Sequence, residues 1–335
     1  MEHLKADLVL EGGGVKGIGL VGAASVLLDR GYEPQRIAGT SAGAIVGALL
    51  AAGMPVKELQ HEMETIDYRR FQDSSLLDRV PFVGKPLSLI LERGIYEGNY
   101  LVDWLAERLA RNGVETFADL RRDDAGSGLP PWLEYKLVVV AADLSRGEMV
   151  RLPWDYEERY GLNPDEQRVV DAVRASMSIP FFFEPARIKH ADRRISTLVD
   201  GGMVSNFPVA LFDRDDGKRP RWPTFGLKLS AKPDATQFPN ETGNPYSFLR
   251  AMVDTMVSGH DRMYIADDCV QQRTMFIDTF KIPATRFDVT EVEQSALLSS
   301  GVRAAEAFLE GWDFEEHVRA CRPGSGSGSR SGVTQ

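Results

Sequence analysis

Short apolar runs and glycine-closed turns alternate along the first part of the chain. Leu8-Val9-Leu10 is an apolar run that ends at Glu11 and a glycine cluster, the pattern of a buried strand. From Lys16 to Arg30 small and apolar residues recur at helical spacing, with Gly31 as the stop. Arg36-Ile37-Ala38 predicts a second strand, closed by Gly39. Ala42 to Ala52 predicts an alanine-rich helix, with Gly53 and Pro55 just beyond its end. The order strand, turn, helix, strand, turn, helix is that of a parallel α/β sheet.

The pattern continues less regularly. Leu101, Leu105 and Leu109 mark one face of a helix, and the polar, Gly-rich stretch Arg121 to Pro131 predicts a surface loop. Tyr135 to Ala142 predicts a fully buried strand, and Val169, Val170, Val173 and Met177 a helix stopped by Pro180. Leu198-Val199 predicts a short strand before Asp200-Gly201-Gly202, and Thr224 to Leu229 another after the charged loop Asp213 to Pro223. Thr290 and Glu293 have capping-box spacing, and Leu298, Val302, Ala305, Leu309 and Trp312 then form one helical stripe suited to core packing. Internal repeats are absent. The expectation is a single domain over residues 1–321, with a cap-like insertion at about 68–98 and a flexible Gly/Ser tail over 322–335.

Composition narrows the class. The chain has 335 residues, 43% hydrophobic and 26% charged, which is ordinary for a globular protein. Its net charge of −10 argues against non-specific nucleic-acid binding, which needs a basic footprint. Cys269 and Cys321 lack the clustered spacing of a zinc site and cannot make a disulfide framework, so two unpaired thiols in a reducing compartment are expected. Met1 to Glu11 is too short and too charged for a signal peptide's apolar stretch, and Ala42 to Met54 falls short of the roughly 20 residues that cross a bilayer. These readings predict a cytoplasmic protein, although export without an N-terminal signal would leave no trace here.

Two glycine motifs lie close together in the first α/β unit. Gly39-Thr40-Ser41-Ala42-Gly43 has the form G-x-S-x-G between a strand and a helix, the context of a nucleophile elbow. Ser41 would then stand at a helix N-terminus, whose partial positive charge favours an oxyanion nearby. The same residues also suit a tight turn with a helix-capping serine. Gly12-Gly13-Gly14-Val15-Lys16-Gly17 fits G-x-G-x-x-G, but Ile37-Ala38 runs straight into Gly39 without the acid that closes a dinucleotide site. Lys16 is followed by glycine, which excludes a Walker A loop. A bare turn whose N–H groups stabilise an oxyanion fits better. Lys16 suits either an anionic head group or the plain surface. A serine nucleophile needs an adjacent base, and Asp200 of Asp200-Gly201-Gly202 follows a short strand that could end beside Ser41, although Asp-Gly-Gly alone also describes a β-turn.

Together these three motifs, in this order and context, resemble the patatin-like phospholipases. Ala175-Ser176-Met177-Ser178-Ile179-Pro180 is similar to the family's Ala-Ser-x-x-x-Pro segment, and Asn206-Phe207-Pro208 to its Asn-x-Pro. The resemblance is clear over roughly residues 6–210. It implies a three-layer α/β/α fold with a mostly parallel central sheet and a Ser–Asp dyad without histidine. Ser41 would be the nucleophile, Asp200 the base and Gly12 to Gly17 the oxyanion hole, with Gly13 and Gly14 supplying the donors. No metal or cofactor is implied, and the partner would be a lipid or phospholipid, met at a membrane surface.

Of the five histidines only His260 and His317 follow Asp200, the order a Ser-Asp-His triad requires, and neither stands in a glycine turn or at a strand end. A dyad is workable because burial would raise the pKa of Asp200 toward neutrality and make it a better base. The 68–98 region mixes apolar residues with Arg69, Arg70, Arg79, Lys85 and Arg93, which suits a lipid-contacting cap or a small folded insertion. Phe181-Phe182-Phe183 suits an acyl pocket or core packing. The expected activity is acyl-ester hydrolysis that releases a free fatty acid. The alternatives are an acyltransferase of similar architecture, although Thr40 stands where such enzymes usually carry histidine, and a catalytically silent lipid-binding regulatory module.

Overall fold

The computed structural model describes residues 4–66, 70, 98–124, 126–127, 129–180, 182–229, 243, 267–280, 282–284, 286 and 288–321. Nearly all of the expected 68–98 cap, Phe181 of the phenylalanine run and the 322–335 tail lie outside the described residues.

The first unit follows the predicted alternation. Strand β1 (Leu4–Leu10) leads through a 3-10 turn at Gly14–Gly17 into α1 (Ile18–Asp29), and β2 (Tyr32–Thr40) into α2 (Ala42–Ala51). Helices α3 (Val56–Thr65) and α4 (Asn99–Arg111) follow, and α4 buries the predicted Leu101, Leu105 and Leu109 face. Then come β3 (Leu137–Asp143), β4 (Glu148–Leu152), α5 (Val169–Ser176), β5 (Ala186–Lys189) and β6 (Ile195–Asp200). The last part holds β7 (Thr224–Lys228), α6 (Asp268–Gln272), β8 (Thr274–Phe276), α7 (Glu291–Glu310) and α8 (Phe314–Cys321). The Thr290 and Glu293 capping box opens α7 as predicted.

These strands form one sheet in the order β5-β6-β3-β2-β1-β7-β8, with β4 also paired to β3. The run from β3 to β8 is parallel, whereas β4, β5 and β6 pair antiparallel. The result is a mixed α/β fold with a central, mostly parallel sheet flanked by helices. Alternation along the strands sends Leu8, Leu10, Ile37, Val139 and Ala141 into the larger core with α1, α2, α4 and α5. Val9, Ala38 and Val138 face the other way and pack under Phe207, Val209, Phe212 and Val270 of α6.

Strand β3 is buried along its whole length and sets the position of the candidate site. It pairs with β2 over Leu137 to Val140 and with β6 over Ala141 to Asp143. Strand β4 spans Val139 to Asp143, overlapping both, so it must occupy the opposite edge. Hence β2 and β6 share one edge of β3 and meet end to end. Thr40 pairs with Val140, and Asp200 pairs with the next residue, Ala141. Two strand ends, Thr40 and Asp200, far apart in the chain, are brought side by side by register alone.

One expectation is overturned. Cys269 in α6 and Cys321 at the end of α8 are not free thiols but form a disulfide, with Cα atoms 5.6 Å apart. Their separation of 52 residues carries no spacing signal. They meet because α8 packs beside α6, where His317 and Cys321 both approach the Gln272 side chain. The inference of a reducing compartment therefore loses the support it drew from unpaired thiols. Among the described residues no helix is long and apolar enough to cross a membrane.

Candidate active site

Ser41 lies between β2 and α2 with φ 52° and ψ −123°, a backbone conformation that side-chain-bearing residues rarely adopt and that costs roughly 1–3 kcal/mol. The turn is tight enough to require its flanking glycines. A Cβ on Gly43 would lie 2.3 Å from the Leu10 carbonyl oxygen. The Ser41 N–H donates to the Ser176 hydroxyl at 2.8 Å, and that hydroxyl donates in turn to the Val140 carbonyl at 2.6 Å. The Ser41 carbonyl accepts from Ala44 and Ile45 in the first turn of α2. Its hydroxyl lies 3.5 Å from Met177 Sδ and against the Asp200 carboxyl, whose ionised form it stabilises.

Asp200 ends β6 and is 6% exposed. Its N–H donates to the Ser178 carbonyl at 2.9 Å, and its Oδ1 accepts from the Gly202 N–H at 2.8 Å. Burial is the dominant influence on its acidity. The neighbouring Ser41 hydroxyl and the Gly202 hydrogen bond oppose that influence only in part, so the carboxyl is pushed up to about 6.

The Gly12 to Gly17 turn abuts this pair. A Cβ on Gly12 would lie 3.1 Å from Ser41 Cβ, and one on Gly17 would lie 3.1 Å from Ala42 Cβ. Its N–H groups are not equivalent. Gly12 donates to the Asn206 carbonyl at 3.3 Å, Val15 to Ala284 at 3.3 Å and Lys16 to Gly13 at 3.2 Å. Gly13 and Gly14 donate in none of the hydrogen bonds among the described residues. Gly14 has φ +54°, which only glycine adopts without strain. The turn is held at its N-terminal end. Asn206 Nδ2 donates to the Gly12 carbonyl at 3.1 Å. The buried Glu11 carboxylate bonds the Lys228 ammonium and the Leu229 N–H.

All three glycine motifs thus meet at one place, since Gly201 also packs against the Val140 carbonyl and Thr40 Cγ2. Thr40 is buried, with its hydroxyl 3.4 Å from the Ser205 carbonyl. Val15 is buried and Lys16 half-buried. Gly202 follows Gly201 in a short 3-10 turn. Ser176 and Asn206 are two site residues whose roles the sequence did not reveal. Both fall in segments that carried the family resemblance, but nothing in their spacing tells which groups they bond.

The histidines take no part in the described hydrogen bonds of Ser41 and Asp200. His190 is buried, with Nε2 2.9 Å from the Ser196 hydroxyl and its ring on Tyr160. His317 packs on Trp312 near Gln272. His3 and His260 lie outside the described residues. Of the phenylalanine run, Phe183 is buried and Phe182 packs against the larger core. Among the described residues no group of three or more His, Cys, Asp or Glu is arranged to hold a metal ion.

Comparisons with known proteins place the chain among relatives. The family described as patatin-like phospholipase matches residues 8–213. The uncharacterized protein YqhO of Bacillus subtilis is 37% identical over 309 residues, covering 92% of this chain and 99% of its own length. An uncharacterized NTE family protein of Mycobacterium tuberculosis is 29% identical over 206 residues, 62% of this chain but 45% of that protein. Among solved structures, VipD from Legionella pneumophila has a TM-score of 0.52 at 19% identity, covering 92% of this chain and 67% of VipD, a likeness of fold.

Proposed function

The chain belongs to the patatin-like phospholipase family and is a lipid ester hydrolase, and from that premise we propose that it cleaves acyl esters of phospholipids or lysophospholipids through a Ser41–Asp200 dyad. The observation that carries this reading is a buried carboxyl, with its pKa pushed up to about 6, lying against the hydroxyl of a serine on a strained elbow.

The chemistry follows from the contacts. Ser41 Oγ attacks the ester carbonyl carbon while the Asp200 carboxylate takes the hydroxyl proton. The carbonyl oxygen becomes an oxyanion and accepts hydrogen bonds from the Gly13 and Gly14 N–H groups, aided by the N-terminus of α2. A carboxyl near neutrality suits both halves of the cycle, because it is a base strong enough to accept that proton and an acid strong enough to return it. As the tetrahedral centre collapses, the C–O bond to the alcohol breaks and Asp200 protonates the departing oxygen. Water then attacks the acyl-serine, Asp200 accepts its proton, and Ser41 leaves reprotonated as the fatty acid is released. Lys16, within this turn, is suited to a phosphate-bearing head group.

The test is hydrolysis of phospholipid and lysophospholipid vesicles by wild type, Ser41→Ala and Asp200→Asn. Loss of activated nucleophile or base should lower the rate about 1,000-fold or more in each variant. Full activity in either would refute the dyad. Transfer of the acyl group to an added alcohol in preference to water would instead favour the acyltransferase reading.

A further inference from the structure

We propose that Ser176 is a positioning residue that locks the nucleophile elbow in its reactive conformation, and that Ser176 to Ser178 form one strap holding both members of the dyad. The proposal rests on the reading of Ser41 as nucleophile. Ser176 is the last residue of α5 and is fully buried. Its hydroxyl hydrogen is committed to the Val140 carbonyl at 2.6 Å, which leaves its lone pairs to accept the Ser41 N–H at 2.8 Å. The Ser41 amide is therefore engaged in anchoring and is not available to an oxyanion.

The anchor point has a particular location. Val140 is the β3 residue paired with Thr40, immediately before the residue paired with Asp200. Ser176 thus bridges the elbow to the part of β3 that also sets the acid. Two residues later, the Ser178 carbonyl accepts the Asp200 N–H at 2.9 Å. Between them Met177 brings its sulfur 3.5 Å from Ser41 Oγ. Consecutive residues therefore hold the nucleophile's backbone, face its hydroxyl and hold the acid's backbone.

Removing the Ser176 hydroxyl strands a buried donor on Ser41 and removes one partner of the Val140 carbonyl. The positive-φ conformation of Ser41 then loses the bond that maintains it, and Oγ shifts relative to Asp200 and the Gly13–Gly14 amides. A misplacement of about 1 Å at a reacting atom lowers the rate on the order of 100-fold. Substrate binding depends on other surfaces and should be nearly unaffected.

The experiment titrates active sites with a fluorophosphonate and follows phospholipid hydrolysis in wild type, Ser176→Ala and the same-shaped but slightly larger Ser176→Cys, whose thiol is a poor hydrogen-bonding substitute. The label is mapped by peptide mass. Expected in Ser176→Ala is a full complement of sites that label slowly, kcat per titrated site down about 10–100-fold, and KM within about twofold. Ser176→Cys should fall in between, and it carries the test if the alanine variant does not fold. Wild-type kcat per titrated site in the folded variants would overturn the positioning role, because a merely structural residue changes how many sites are active and not how fast each one works. Label mapping to a residue other than Ser41 in wild type would overturn the underlying nucleophile assignment instead.

Discussion

Asp7 and Asp200 are buried carboxyls on the same central sheet, 1% and 6% exposed, yet their surroundings differ in kind. Asp7 lies within β1 and receives a forked guanidinium from Arg36, whose Nε is 3.2 Å from both carboxylate oxygens and whose Nη2 is 2.5 Å from Oδ2. Arg36 is itself stacked over Phe212 at 4.6 Å. Burial raises the pKa of Asp7, and Arg36 is the strongest influence in the opposite direction. Among the described residues the groups that face Asp200 are neutral, the Gly202 amide that donates to it and the Ser41 hydroxyl beside it. Depth alone does not make a carboxyl reactive. A guanidinium fork occupies the oxygens of Asp7 and ties them to the neighbouring strand, although burial still leaves its pKa raised, so Asp7 serves the fold. A hydroxyl and one amide leave the charge of Asp200 poorly compensated, and that keeps its proton affinity high.

The strongest test of this contrast is Arg36→Ala. It would leave Asp7 buried without its cation, and urea unfolding should report a loss of about 3–5 kcal/mol, with hydrolysis per folded molecule unchanged. An unchanged unfolding midpoint would break the comparison at its structural end. A smaller effect of opposite sign is expected at Asp200. Its folded-state pKa is about 6 against 3.8 unfolded, so the ionised group penalises folding above about pH 6, and the penalty fades as the pH falls toward 3.8. Asp200→Asn should therefore stabilise the protein at about pH 8 by up to about 3 kcal/mol, the advantage closing as the solution is acidified. Equal stability of the two proteins across that range would show that Asp200 is not strained by burial. The finest discrimination is kinetic. The kcat of wild type should fall below an acidic limb near pH 6 as Asp200 protonates, and Asp7→Asn should leave the midpoint of that limb in place. A limb that moved with Asp7 would merge the two roles.

The sequence made the alternating α/β order legible because glycine and proline punctuate nearly every element of the first unit. It singled out Ser41 and Asp200 as candidates because their glycine turns, open to a plain structural reading one by one, together resemble the family's motifs. What escaped notice depends on three-dimensional register. Asp7 and Arg36 look like solvated charges in short strands, and only the pairing of β1 with β2 makes them a buried pair. The reciprocal bonds of Asn206 with Gly12 join residues 194 apart. The Cys269–Cys321 bond leaves no trace in the sequence because its basis is the packing of α8 beside α6. The short antiparallel strands β4 and β5 carry too few alternating residues to stand out from loops.

The end-to-end arrangement on β3 has a consequence for how the proposed Ser41–Asp200 dyad is lost. Among the described residues β2 and β6 do not hydrogen-bond to each other, and each is aligned only through its own stretch of the shared neighbour. The junction therefore behaves like two planks nailed to one beam. Local fraying of either plank shifts a single reactant, whereas release of the beam separates both at once. Deuterium uptake at the amides of Val140 and Ala141, in the most buried strand, should accordingly come only after the peripheral helices have begun to exchange under mild denaturant, and hydrolysis should be gone once it does.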